Sequence, residues 1–146
     1  MPKRFTLSEA ERLLPEIDKL IREAVSLKTR YQEAEQAIQS FAQHVAMQGG
    51  VVIDREAVLR QRAERDRSGE RLKATVEQIQ DHGCLIKDLD IGLIDFPTTF
   101  HGREVYLCWK MGEEGITYWH GVDEGFGGRK PIDEDFLQNH SGDPTH

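Results

Sequence analysis

From Phe5 to Val45 the apolar residues step by three and four without a miss: Ala10, Leu13, Ile17, Leu20, Ala24, Leu27, Tyr31, Ala34, Ile38, Phe41 and Val45. A 3.5-residue spacing held this long predicts a helix that buries one seam along its length, as coiled coils do. Its start is written in Thr6-x-x-Glu9, a capping box, with Phe5 placed to staple onto Ala10. Such a helix runs about 60 Å at 1.5 Å per residue. Pro15 removes one hydrogen bond inside it and predicts a kink near Glu11 to Pro15, and Gly49-Gly50 ends it.

Asp54 is a good N-cap for a second helix reaching about His82, and Gly83 suits the left-handed position that follows a helix end. Its seam is patchier. Val58, Leu59, Leu72, Val76 and Ile79 are apolar, but Arg62, Arg65, Asp66 and Gly69 interrupt the middle. The two segments predict an antiparallel helical hairpin, residues 1–82, whose loose middle leaves apolar surface for a second subunit. Homo-oligomerisation through the hairpin is therefore expected.

After Gly83 the period changes to two, and residues 83–132 read as a small antiparallel β module of three or four strands. His101-Gly102 suits a two-residue hairpin loop. That loop pairs Phe96 with Leu107, Ile94 with Trp109 and Asp95 with Cys108. One face then carries Ile94, Phe96, Val105, Leu107 and Trp109, and the other Asp95, Thr99, Glu104, Tyr106, Cys108 and Lys110, a split consistent enough to fix the register. A three-residue loop Glu113-Glu114-Gly115 would pair Trp109 with Trp119 and Cys108 with His120, whereas a loop one residue different would put His120 on the other face. The polar segment 133–146 is expected to be a disordered acidic tail. The fold class is α+β.

Charge changes the picture in one place. The net charge is -7, yet residues 1–53 and 54–81 each hold seven basic and seven acidic side chains. Residues 82–146 hold five basic against twelve acidic, so the β module and tail would repel nucleic acid and attract cations or a basic partner. The arginines of the second helix share their segment with as many acids and read as a solvated, salt-laced face. The amino-terminal segment has no signal-peptide pattern and no apolar run is long enough to span a membrane. Cys84 and Cys108 therefore read as reduced thiols of the cytoplasm.

The predicted registers line up Asp95, Cys108 and His120 across three strands, with neighbouring Cβ atoms about 5 Å apart. Carboxylate, thiolate and imidazole together suit a divalent metal such as zinc, iron or manganese, with Glu113 or Asp123 as auxiliary ligands. The same residue types also fit a Cys108 nucleophile with His120 as base and Asp95 as orienter. The third alternative is structural: Cys108 a small core residue, Asp95 bonded to a backbone amide, His120 half exposed. Gly125-Phe126-Gly127-Gly128 with Arg129 offers an anion contact. Trp109 and Trp119, with Tyr118, offer either an aromatic partner surface or a core.

The order Gly92-Leu93-Ile94-Asp95-Phe96-Pro97, Gly102-Arg103-Glu104-Val105, Leu107-Cys108-Trp109, Tyr118-Trp119-His120 and Gly125-Phe126 with Gly128-Arg129 resembles a prokaryotic family of domains of unknown function, the one numbered 2203. The likeness runs from residue 5 to about 132. It implies a small bacterial cytoplasmic protein and carries no activity with it. The function expected from all of this is a non-enzymatic oligomeric binding or scaffold protein. The alternative is a metal-binding protein or metal-dependent hydrolase with its site on the β module.

Overall fold

The computed structural model describes residues 3–47 and 55–144. Helix α1 spans Leu7–Met47 and runs on through Pro15. The capping box at its start forms as expected: Glu9 N–H donates to Thr6 Oγ1 (3.1 Å) and Thr6 N–H to Glu9 Oε1 (2.9 Å). Phe5 and Ala10, the staple pair, are both buried. Helix α2 spans Arg55–Asp81. It closes in a Schellman motif, in which Gly83 N–H donates to the Gln80 carbonyl (2.9 Å) and Cys84 N–H to that of Ile79 (3.4 Å). Gly83 sits at φ +98°, where a side chain is strained, and Ile79 and Cys84 bury the accompanying apolar contact. The expected cap at Asp54 and the stop at Gly49-Gly50 lie outside the described residues.

The chain divides into two compact units. One holds residues 1–22 and 76–146, the other residues 23–75. This division does not follow the element boundary at residue 83. The roots of both helices belong with the sheet, because Phe5, Ala10, Leu14, Ile17, Leu20, Ile21 and Ile79 are core residues, each at most 7% exposed.

In the larger unit the strands are β1 (Leu85–Asp88), β2 (Leu93–Phe100), β3 (Arg103–Lys110), β4 (Tyr118–Gly121), β5 (Lys130–Pro131) and β6 (His140–Ser141). They form one antiparallel sheet in the order β1-β2-β3-β4-β5, with β6 also paired to β2. The β2–β3 register is the one predicted: Asp95 faces Cys108, Ile94 faces Trp109, and Phe100 faces Arg103 across a turn in which His101 and Gly102 both have positive φ. Ile94, Phe96, Thr98, Leu107 and Trp109 fill the inner face. Phe5 meets Phe96 edge-on at 5.5 Å, and its N–H donates to the Pro97 carbonyl at 2.7 Å. That bond lies along the edge of β2 between β1 and β6, so most of the edge is covered.

The sheet has six strands where three or four were expected, and two further expectations need correction. The β3–β4 register pairs Tyr106 with His120, Leu107 with Trp119 and Cys108 with Tyr118, two residues from the predicted one. The reason is the connection. Gly112, not Gly115, takes the positive φ (+101°), and Glu113 folds back so that its carboxylate accepts Lys110 N–H (2.7 Å). Ile116 is then drawn into the core, with its N–H on the Glu11 carboxylate (3.2 Å). A shift of two leaves every side chain on its predicted face.

The second correction concerns the tail, whose described residues, to Pro144, are ordered. Asp133 Oδ1 accepts Phe136 N–H (2.9 Å) and caps a short helix, α3, at Glu134–Asn139. Phe136 is fully buried between Phe100, Trp119 and His140, with ring centroids 4.7–5.3 Å away. Burying such a ring contributes about 2–3 kcal/mol, enough to order a short polar segment that also gains backbone pairing to β2. His140 Nε2 accepts the Leu7 N–H (2.9 Å) at the start of α1.

In the unit of residues 23–75 the helix pair packs through small side chains. Ala24, Leu27, Ala34, Ser68 and Thr75 are buried. Ser68 and Thr75 return their hydroxyl groups to carbonyls of the preceding turn (2.7 Å to Glu64, 2.9 Å to Arg71). Arg30–Glu64, Arg65–Glu35 and Arg71–Glu23 join the two helices at 2.8–3.1 Å. Such exposed pairs contribute at most about 1 kcal/mol each.

Candidate metal centre

Asp95, Cys108 and His120 share the outer face of the sheet. Asp95 and Cys108 are direct cross-strand partners, and His120 stands diagonally to Cys108 because Tyr106 is its own partner. One donor atom from each lies within 4.8 Å of the others. A tetrahedral zinc site has donor–donor edges of about 3.3–3.8 Å, so the cluster brackets the needed size. It is the one group of this kind among the described residues. All three are buried, at 0%, 0% and 2% exposure. Tyr106 is buried beside them, its ring 5.5 Å from His120, and Lys87 Nζ lies 4.8 Å over Tyr106.

The protons are informative. His120 Nδ1 donates to the Gly121 carbonyl (2.8 Å), which leaves Nε2 facing Asp95 Oδ1 at 3.0 Å. One proton sits between the imidazole and the carboxyl, carried by either. Asp95 Oδ2 is buried with no hydrogen-bond partner. Burial pushes the Asp95 carboxyl above the usual range, while His120 and then Cys108 pull it back. Burial, reinforced by the neighbouring Asp95 charge, pushes the Cys108 thiol up to about 12.

These facts decide against a metal-free nucleophile. Both ring nitrogens of His120 are engaged, so none serves Cys108 as a base. Its burial also holds the Cys108 sulfur in the thiol form at neutral pH, and the thiol is not the nucleophile. The expectation that His120 is half exposed and Asp95 bonds a backbone amide also fails, since the two bond each other in the interior.

The other predicted contacts fall elsewhere. Glu113 is committed to Lys110 N–H and to Arg129, whose Nη2 lies 2.8 and 2.7 Å from its two oxygens. Asp123 is exposed on the turn after β4. Neither joins the cluster. Arg129 is no open anion contact, because its guanidinium pairs with Glu113 and lies over the rings of Tyr118 (4.1 Å) and Phe126 (4.7 Å). The glycines before it do not form an anion loop either; Gly128 N–H closes a 3₁₀ turn, Phe126–Gly128, onto the Gly125 carbonyl (2.9 Å). Trp109 is a core residue whose Nε1–H donates to the Glu113 carbonyl (3.0 Å). Trp119 stacks on Phe136, with Lys130 over its ring. The two tryptophans therefore form no joint pocket. Sequence reasoning missed Gly121 and Tyr106, since a backbone acceptor and a covering ring carry no ligand signature.

The fold and this face define an α+β protein with a helical hairpin and a sheet that encloses an Asp–Cys–His cluster. The chain belongs to DUF2203, the family described as an uncharacterized conserved protein, whose model matches residues 3–132. No curated protein and no solved structure matches the chain. No helix among the described residues is long and apolar enough to cross a membrane.

Proposed function

We propose that the protein binds one divalent transition metal through Asp95, Cys108 and His120. The observation that carries this reading is the buried cluster of three potential ligands, Asp95, Cys108 and His120, in which Asp95 Oδ2 meets no partner at hydrogen-bond geometry. A lone buried acceptor costs about 1–3 kcal/mol, and a cation at this point would remove that cost. His120 is already arranged as metal-binding histidines are, with one nitrogen on a carbonyl and the other turned inward. A metal would take the place of the proton shared with Asp95. The thiolate and imidazole favour zinc, then ferrous iron, over manganese.

Three protein ligands leave a fourth position, where zinc-bound water would supply hydrolytic chemistry. The seclusion of all three residues supports a bracing ion first and a catalyst only if the covering side chains part. Two buried free thiols fit a reducing compartment, the bacterial cytoplasm in this reading. Metal content of protein purified without a histidine tag or chelator, beside the Cys108→Ser/His120→Ala double variant, tests the proposal. Near-stoichiometric metal in the wild type and none in the variant is expected; none in either would refute it.

A second reading, self-association through the hairpin, rests on a separate observation. Leu59 is 61% exposed, and Ile38, Phe41, Val45 and Val58 line an open cleft of about 300 Å³. Side chains of this kind on a two-helix element suit a second hairpin packed against them.

A further inference from the structure

We infer that Glu124 is a positioning residue for the metal ligand His120, acting through the backbone of Gly121. The inference rests on the metal-binding reading of Asp95, Cys108 and His120. The Gly121 carbonyl is the acceptor that holds His120 Nδ1 at 2.8 Å, and it also accepts Glu124 N–H at 3.0 Å. On the other side of the same residue, Gly121 N–H donates to Glu124 Oε1 at 2.8 Å. Glu124 thus grips Gly121 at both its nitrogen and its oxygen. Lys130 Nζ holds the same carboxylate oxygen at 2.5 Å and ties the turn to β5.

The glycines around this turn fit the purpose. A Cβ on Gly121 would stand 2.9 Å from Glu124 Oε1, and one on Gly128 would stand 2.8 Å from Glu124 Cβ. Gly121 and Gly128 therefore clear the space that the Glu124 side chain occupies. Within the glycine-rich segment this gives Gly128 a task other than wrapping an anion. The grip of Glu124 keeps a carbonyl aimed at Nδ1, so that His120 meets the metal through Nε2.

The effect of the partner that fixes a ligating histidine is typically 10–100-fold in metal affinity. Glu124 acts one step further out, so a loss of about tenfold is expected for Glu124→Ala, with one zinc still bound. Glu124→Gln keeps an oxygen for Gly121 N–H and should stay within about twofold of wild type. Both variants are read by competitive zinc titration of the full chain and by solvent exchange of the His120 Nδ1 proton in ¹⁵N-labelled, zinc-loaded protein. That proton should exchange faster in Glu124→Ala and not in Glu124→Gln. The Glu124 side chain is 41% exposed, so both variants should fold, which circular dichroism checks. One zinc in the wild type with unchanged affinity and exchange in Glu124→Ala overturns the inference and leaves the metal site standing. No zinc in the wild type overturns both.

Discussion

Zinc should stabilise the wild-type protein against heat and leave the Cys108→Ser/His120→Ala variant untouched. The three proposed ligands lie 13 and 12 residues apart in the sequence and meet only through the β2–β3–β4 pairing. The unfolded chain therefore offers no comparable site, and binding adds to folding stability by mass action. At a free zinc concentration a hundredfold above Kd the gain is about 2.7 kcal/mol. Unfolding entropy near 2.1 cal/mol/K per residue gives about 0.3 kcal/mol/K for 146 residues, so Tm should rise by about 9 °C. The assay is a thermal melt of chelator-treated protein followed by circular dichroism, with added zinc and with magnesium as the control. A wild-type shift below about 2 °C at saturating zinc, or an equal shift in the double variant, would refute the reasoning.

Cys84 is buried and its thiol is pushed up to about 12 by that burial, so its protonated form is favoured in the folded state. Its contribution to stability is complete below the ordinary thiol value near 9 and is lost at about 1.4 kcal/mol per pH unit as pH rises toward 12. Urea melts between pH 8 and 11 should therefore slope less steeply for Cys84→Ala than for wild type. Phe136→Ala should cost about 3–5 kcal/mol in urea unfolding, because the ring is wholly enclosed; a loss under 1 kcal/mol would mean that the tail does not hold the core. Leu59→Glu should convert a wild-type dimer to monomer in light scattering behind gel filtration, and a monomeric wild type would remove the hairpin as its interface.

Much of this arrangement was legible because β-strands have a strict period of two. The two-residue His101-Gly102 loop fixed the Asp95–Cys108 pairing, and the even error at the next loop kept His120 on the same face. That error itself came from local competition. Gly112 and Gly115 both offered positive φ, and only the fold-back of the Glu113 carboxylate and the pull of the core on Ile116 decided between them. Arg129 looked available because its partner Glu113 lies sixteen residues upstream. The tail was misjudged from its charge, although Asp133-x-x-Phe136 already held a helix cap and a core ring. The anchor of His120 was invisible, since it is a main-chain oxygen.

The order in which the chain is made bears on the bond network that joins residues 4–7 to residues 140–143. Arg4 N–H donates to the Asp143 carboxylate and Asp143 N–H to the Arg4 carbonyl, while His140 caps the helix that begins at Leu7. The unit that holds the sheet thus joins segments 139 positions apart in the sequence, with the 53 residues of the other unit between its two parts. During vectorial synthesis the helices emerge first, and α1 carries an apolar seam whose root has no sheet to cover it. The sheet unit can close only after residue 141 has left the ribosome, and its long-range pairings make that closure slow. Until then the apolar root of α1 stays uncovered, and Asp95, Cys108 and His120 come together only once β4 has paired.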